Sequence, residues 1–184
     1  MRKIFILLVL FCAVMLPINS SFAAKWNRAS IVFYVPKDGT YDVMFKKAIS
    51  EWQSKTRKIA FITAQNDRDL VLSDIDAVFK RLTAEDAKNS CAVGLAVTAS
   101  NHFRHVKITL NVNESPEILN DPEKKQANDD EIYALMLKSV GLSLGVPAST
   151  DENSVMFNEY KEGQKILQSD VENLYRVYNW PIRK

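Results

Sequence analysis

An apolar strand, an amphipathic helix and a second apolar strand follow one another early in the chain, and this order most narrows its possible folds. Residues 31–35 form a run of β-branched and aromatic residues typical of a buried strand, and residues 59–62 form a second such run. Between them, apolar residues recur at offsets of 4, 7, 8 and 11, the spacing of one helical face: Tyr41, Phe45, Ala48, Ile49 and Trp52. Because parallel strands need a crossover connection, this order predicts a parallel sheet crossed by a helix.

The middle of the chain continues the sheet. Residues 69–73, 92–98 and 106–112 are predicted as strands, and residues 74–81 as either a short helix or a loop. Residues 113–130 are polar and contain two prolines, which predicts a surface loop.

Two helices close the chain. Residues 129–144 return to helical spacing, and Gly145 ends that helix because glycine tolerates the left-handed backbone conformation. The last helix is predicted to start at Ser169-Asp170-Val171-Glu172, which has the pattern of a capping box. These elements predict an α/β (α+β) fold with a twisted, mostly parallel sheet of about five strands and about three helices.

The first 23 residues have the pattern of a signal peptide. Arg2 and Lys3 precede an apolar run over residues 4–16, and small residues stand where a signal peptidase would cut after Ala23. An uncleaved anchor is the alternative, but the run has only 13 residues, short of the roughly 20 that span a bilayer. We therefore predict export to the periplasm or the outside, no membrane span after cleavage, and one domain over residues 24–184.

The charge and the cysteine content of the exported chain argue against a nucleic-acid partner and against an internal disulfide. Removal of Arg2 and Lys3 takes the 24 basic residues to 22, which equals the 22 acidic residues. A balanced charge gives no reason to expect nucleic acid as a partner. Cys12 leaves with the signal, so Cys91 has no internal disulfide partner and is predicted to be a small buried apolar residue.

Residues 138–149 read Lys-Ser-Val-Gly-Leu-Ser-Leu-Gly-Val-Pro-Ala-Ser, and Ser154-Val155-Met156 follows shortly after. A metzincin zinc protease carries H-E-x-x-H-x-x-G-x-x-H and a later methionine turn, and Gly145 and Met156 match the glycine and the methionine of that pattern. Further segments in the right order resemble the matrixin-type metzincin domain over nearly the whole exported chain: residues 31–35, 48–52 (A-I-x-x-W), 69–72, 94–96, 108–111 and 164–178.

The resemblance implies a metzincin-like, or zincin-like, fold in which the catalytic positions are substituted. Lys138, Leu142 and Ala148 occupy the three histidine positions, and Ser139 occupies that of the catalytic glutamate. A protonated amine, an isobutyl group and a methyl group do not bind zinc, and a hydroxyl does not replace a carboxylate base. We therefore expect a pseudoprotease, not an enzyme, with no zinc or other cofactor. A structural calcium ion in the acidic loops stays open as an alternative.

Other residues offer weaker routes to catalysis. His102 and His105 are the two histidines of the chain and are predicted as solvated side chains in a loop before a strand, with a metal pair as the alternative. A serine mechanism through Ser139 and Lys138 is disfavoured because neighbouring side chains on a helix do not face each other.

The predicted function is binding. A metzincin cleft has an exposed strand edge, and an extended peptide or protein segment can pair with such an edge without a metal. The strand that contains Gly94, Leu95 and Ala96 is the predicted edge, beside a remnant cleft formed around Lys138 and Met156. The alternatives are a metal-dependent peptidase with a displaced site and an accessory subunit of an envelope or secreted assembly.

Overall fold

The computed structural model describes residues 24–28 and 30–182. Its strands and helices, in chain order, are β1 (Ser30–Tyr34), α1 (Tyr41–Thr56), β2 (Ala60–Ala64), a 3₁₀ helix (Asp67–Leu72), β3 (Ile75–Leu82), β4 (Ser90–Val97), β5 (Phe103–Asn113), α2 (Pro116–Leu119), α3 (Pro122–Ser143) and α4 (Gln168–Val177). The predicted signal peptide lies outside the described residues. None of the helices in this described part is long and apolar enough to cross a membrane.

The five strands form one sheet in the order β2-β1-β3-β5-β4. The pairs β1–β2, β1–β3 and β3–β5 are parallel, whereas β4 runs antiparallel to β5. The predicted mixed α/β fold with a mostly parallel five-stranded sheet is therefore confirmed. Strands β2 and β4 form the two edges of the sheet.

Helices α1 and α3 cover one face of this sheet. The predicted apolar face of α1 is buried, with Phe45 and Trp52 at 0% exposure. The ring of Phe45 lies 6.0 Å from that of Phe79 on β3. The indole Nε1 of Trp52 donates a hydrogen bond of 2.8 Å to the carbonyl oxygen of Leu137 on α3. The two helices are thus joined to each other as well as to the sheet.

The third strand lies later in the chain than predicted. Residues 69–73 were expected to be a strand, but residues 67–72 form the 3₁₀ helix, and Val71 is 86% exposed. The strand is β3, over residues that were predicted as a helix or a loop. In β3, Ile75 and Ala77 point into the core while Asp76 between them is only half-buried, which is the alternation of a strand with one covered face.

The predicted surface loop over residues 113–130 is also wrong, because it contains α2 and the first turns of α3. Pro122 stands in the first turn of α3, where its missing N–H is not needed. The carboxylate of Asp121 caps this end and accepts hydrogen bonds from the backbone N–H groups of Glu123 at 3.0 Å and Lys124 at 3.2 Å. The polar composition reflects an exposed helix start.

The structure agrees with the predicted C-terminal end of α3, whereas α4 starts slightly earlier than predicted. Gly145 follows α3 with φ +89, as expected, and a side chain there would also collide with the carbonyl of Ala24. Helix α4 begins one residue before the predicted capping box. Its cap is the carboxylate of Asp170, which accepts a hydrogen bond of 2.9 Å from the backbone N–H of Leu167.

Candidate functional site

Lys138 lies where α3 meets the segment that follows Met156. Its ammonium Nζ donates hydrogen bonds to the carbonyl oxygens of Phe157 at 2.7 Å and Asn158 at 3.0 Å. Its charge also acts on the thiol of Cys91 on β4. We call the region where β4, Lys138 and the backbone of residues 157–158 lie near one another the cleft, with β4 and residues 157–158 as its two walls.

The thiol of Cys91 and the hydroxyl of Ser139 face each other across β4 and α3. Cys91 is half-buried and lies near Ser139, which is fully buried and donates to the carbonyl oxygen of Met136 at 2.8 Å. Burial raises the pKa of the Cys91 thiol to about 11, against the opposing effects of Ser139 and Lys138. The thiol is therefore protonated at neutral pH, and it packs beside the cleft as a small half-buried group rather than a fully buried one.

Burial lowers the pKa of the Lys138 ammonium, although the Cys91 thiol nearby acts in the opposite direction. Among the described residues, no carboxylate lies within ion-pair distance of this ammonium. In the part of the chain that the structure describes, it donates to the two backbone carbonyls, which carry no net charge.

The other positions of the motif have distinct surroundings. Leu142 is half-buried against the core, and Ala148 is exposed. Met156 is fully buried, and its Sδ would lie 2.6 Å from a Cβ placed on Gly141. Trp52 would lie 2.7 Å from the same Cβ. Gly141 therefore lets the methionine turn and α1 both approach the backbone of α3.

A buried carboxylate fixes the methionine turn to α4. Ser154 donates to Asp170, with its Oγ 2.8 Å from each carboxylate oxygen, and accepts a hydrogen bond of 2.9 Å from the backbone N–H of Met156. Both side chains are almost fully buried. The wall of the cleft that follows Met156 is thus held from α3 by Lys138 and from α4 by Asp170.

The opposite wall is the edge strand β4. Gly94, Leu95 and Ala96 are all exposed, and Leu95 has 52% of its surface accessible. The strand pairs with β5 on one side, and it is the last strand of the sheet. Its outer backbone edge has no strand partner in the described part of the chain. A register shift between Ala96 and Val97 ends the regular pairing.

The two histidines lie beside the end of β4, where His105 pairs with Ala96 and the carbonyl of His102 accepts a hydrogen bond from the backbone N–H of Thr98. His102 Nδ1 is 3.1 Å from the hydroxyl of Ser100, and His105 Nε2 is 3.1 Å from a carboxylate oxygen of Asp76. His105 lies within β5 and not in the predicted loop. Over residues 24–28 and 30–182, no group of three or more His, Cys, Asp or Glu side chains could hold a metal ion.

Sequence reasoning missed the partners of Lys138. Backbone carbonyls leave no mark in a sequence pattern, and the bonds to residues 157 and 158 span 19 and 20 residues. The apposition of Cys91 and Ser139 depends on how β4 packs on α3. An alternating apolar pattern at Cys91, Val93 and Leu95 was the available signal that one face of β4 turns toward a helix.

Comparison with known proteins places this geometry in a family. The sequence matches the matrixin family over residues 26–179. The fold is similar to that of the solved structure of myroilysin, with a TM-score of 0.50 and 14% sequence identity over 87% of this chain and 98% of that chain. No curated protein matches the sequence.

The family match overturns two predictions. The expectation that the chain is not an enzyme is contradicted, because matrixins are metallopeptidases and nothing in the fold shows inactivity. The expectation of no zinc and no other cofactor is contradicted as well, because matrixin family proteins are zinc-dependent. Both predictions were based on the substituted residues of the zinc-binding motif and were extended from that motif to the whole chain.

The motif positions themselves do not fit zinc. Zinc takes thiolate, imidazole or carboxylate ligands, whereas Lys138 presents an ammonium that is already bonded to two carbonyls, and Leu142 and Ala148 present hydrocarbon. A zinc ion in this protein would need other ligands, because these three side chains offer it none. The match nevertheless spans most of the sequence and agrees with the observed sheet and helices, and the chain therefore belongs to the matrixin family.

Proposed function

We propose that this matrixin-family chain is exported and binds an extended peptide or protein segment in the cleft, by strand addition to the outer edge of β4. The observation that carries the proposal is the position of β4 as the last strand of the sheet, eight residues long and largely exposed. The pattern of residues 1–23 supports export.

An unpaired strand edge presents backbone N–H and C=O groups that an added strand can satisfy. Backbone pairing would supply affinity with little regard to sequence, and side chains at alternate positions of the ligand would supply selectivity. Leu95 and Val97 offer apolar contacts, because they are 52% and 47% exposed on this edge.

The facing wall supports the proposal because it is fixed in place. The backbone N–H of Ser149 donates to the carbonyl of Met156 at 2.9 Å. The hydrogen bonds of Lys138 and Asp170 hold the same segment from two helices. A pre-organised wall reduces the entropy lost when a ligand is bound.

If the peptide pairs with β4 through its backbone, N-methylation should weaken binding only at the peptide amides that face β4. Octapeptides selected from a random library by binding to the purified, untagged protein are the probes. Because alternate amides of a strand face its partner, methylation of either the odd or the even amides should raise the Kd at least about tenfold, through the loss of several hydrogen bonds of about 1 kcal/mol each. Methylation of the other set should leave the Kd nearly unchanged, as measured by fluorescence polarisation.

Matched variants locate the binding edge. Leu95→Asp places a charge on the β4 edge, whereas Val43→Asp makes the same change on α1 at a similarly exposed side chain, 61% against 52%. Only Leu95→Asp should weaken binding. Equal binding of the two methylated peptide sets, or equal effects of the two variants, would contradict strand addition to β4.

Metal-dependent peptide cleavage is the second candidate function, and the family match favours it. If it is correct, untagged protein titrated with zinc should retain about one equivalent after dialysis. It should also cleave some of the selected octapeptides, and a chelator should abolish that cleavage. Mass spectrometry of the peptides and metal analysis of the protein test these expectations together. Intact peptides at saturating zinc would count against this candidate and leave the binding proposal in place.

A further inference from the structure

Lys138 is a half-buried cation for which the described part of the chain supplies no anionic partner. Its ammonium has three N–H donors, and two of them are directed to the carbonyl oxygens of Phe157 and Asn158. The two backbone carbonyls accept hydrogen bonds from the ammonium, but they do not neutralise its positive charge. Removing an ammonium from water without a counter-ion is costly, and the lowered pKa of Lys138 has this desolvation as its largest cause.

The position of this cation ties it to the proposed peptide site. Lys138 lies between the wall formed by residues 157–158 and the thiol of Cys91 on β4. Cys91 precedes Gly94 by three residues on the same strand, a separation of about 10 Å. A peptide of a few residues paired along β4 would therefore run past Cys91, the residue on β4 whose thiol interacts with the Lys138 charge.

A covalent role for this pair is disfavoured by the same contacts. The Cys91 thiol is protonated at neutral pH, and its burial raises its pKa further from that range. The Lys138 amine has its donors directed to two carbonyls, and these acceptors favour the charged form, which is not nucleophilic. A non-covalent role for the charge is the one that the geometry supports.

We propose that Lys138 binds a carboxylate of the peptide or protein segment that pairs with β4, so that the cleft selects acidic ligands. This inference rests on the proposed function of the cleft. The carboxylate could belong to an aspartate or glutamate side chain or to a C-terminus, since both present the same pair of acceptor oxygens. An incoming carboxylate would accept from the ammonium and neutralise its charge, and hydrogen bonds between charged groups are the stronger kind.

The test scans a carboxylate along one peptide. The best octapeptide from the random library is remade with glutamate at each position in turn, with glutamine at the same positions as the neutral counterpart, and with a free or an amidated C-terminus. We expect glutamate to lower the Kd about tenfold relative to glutamine at one position, or the free C-terminus to do so relative to the amide. Whichever of these two comparisons shows the lower Kd identifies the carboxylate as a side chain or as the C-terminus of the peptide.

Variants of the protein then assign this preference to one side chain. Lys138→Met and Lys138→Gln remove the charge, Lys138→Arg keeps it, and Lys55→Met makes the same loss at an exposed position on α1. The preference should disappear in both neutral variants and persist in the arginine and Lys55 variants. Two neutral variants are used because one of them could fail to fold, and the glutamate scan on the unaltered protein stands without either.

The outcomes separate the two proposals. If neutral peptides bind and no position prefers glutamate or a free C-terminus, the role of Lys138 is overturned and peptide binding stands. A preference that survives in the neutral variants overturns the role of Lys138 as well. If no peptide from the library binds the unaltered protein, both proposals fail.

Discussion

Asp170→Ala is expected to lower the free energy of unfolding by about 3 kcal/mol. The carboxylate accepts hydrogen bonds from the hydroxyl of Ser154 at 2.8 Å and from the backbone N–H of Leu167 at 2.9 Å. It is 1% exposed, so water cannot replace it when it is removed. The hydroxyl of Ser154 would then lose its acceptor, and the methionine turn and the start of α4 would loosen together. Urea denaturation followed by circular dichroism measures the change.

Glu172→Ala is the matched control, because it removes a carboxylate from the same helix. Glu172 is partly exposed, and its nearest cationic partner is Arg176 at 3.7 Å. Surface ion pairs of this kind contribute little, so the loss should stay below about 0.5 kcal/mol. Equal losses in the two variants would show that Asp170 does not hold the methionine turn.

Gly141→Ala is expected to destabilise the protein by about 2 kcal/mol, although the same change in an exposed helix would stabilise it by about 1 kcal/mol. The added Cβ would lie 2.6 Å from Met156 Sδ and 2.7 Å from Trp52 Cζ2, and both side chains are fully buried. The overlap must therefore be relieved by moving the methionine turn or α1. Thermal and urea denaturation of the variant measure the sign as well as the size.

Gly94→Ala provides the comparison for this effect. A Cβ on Gly94 would meet only the carbonyl oxygen of Lys107 at 3.7 Å, an ordinary van der Waals contact, so this variant should be at least as stable as the unaltered protein. In a Met156→Ala background, the penalty of Gly141→Ala should fall by about 1 kcal/mol, because one of the two obstructing side chains is gone. A stabilising Gly141→Ala in the otherwise unaltered protein would refute this packing of Met156 and Trp52 on α3.

The sequence predicted the elements whose apolar spacing and burial agree. Helix α1 follows its pattern because one continuous face packs on the sheet and on α3. Strand β3 was missed because charged residues interrupt its apolar signal on both faces. Asp76 and Lys80 lie on the outer face, and Arg81 lies at the end of the covered face, beside the ring of Tyr41. The neighbouring run Leu70-Val71-Leu72 looked more like a strand, yet no described element covers it and it stays exposed in a 3₁₀ helix.

The sequence pointed to a region of the molecule but not to the contacts within it. The motif around Gly145 and Met156 drew attention to Lys138, and Leu95 lies on the edge strand β4. That these residues form a peptide-binding site stays a prediction. The contacts that give the cleft its charge involve backbone carbonyls far along the chain, and side-chain patterns do not encode them. The predictions of no zinc and no catalysis were wrong for a related reason. The substitutions at three motif positions exclude only a metal ion that those three side chains would bind.

Hydrogen exchange of the β4 amides, with and without a selected octapeptide, tests peptide binding at this edge most directly. Strand addition predicts slower exchange at alternate residues of β4, on the edge that has no strand partner. The other edge strand, β2, and the 3₁₀ helix at Asp67–Leu72 should exchange as before. Protection of β2 or of the 3₁₀ helix, with β4 unchanged by a peptide that binds, would contradict the account.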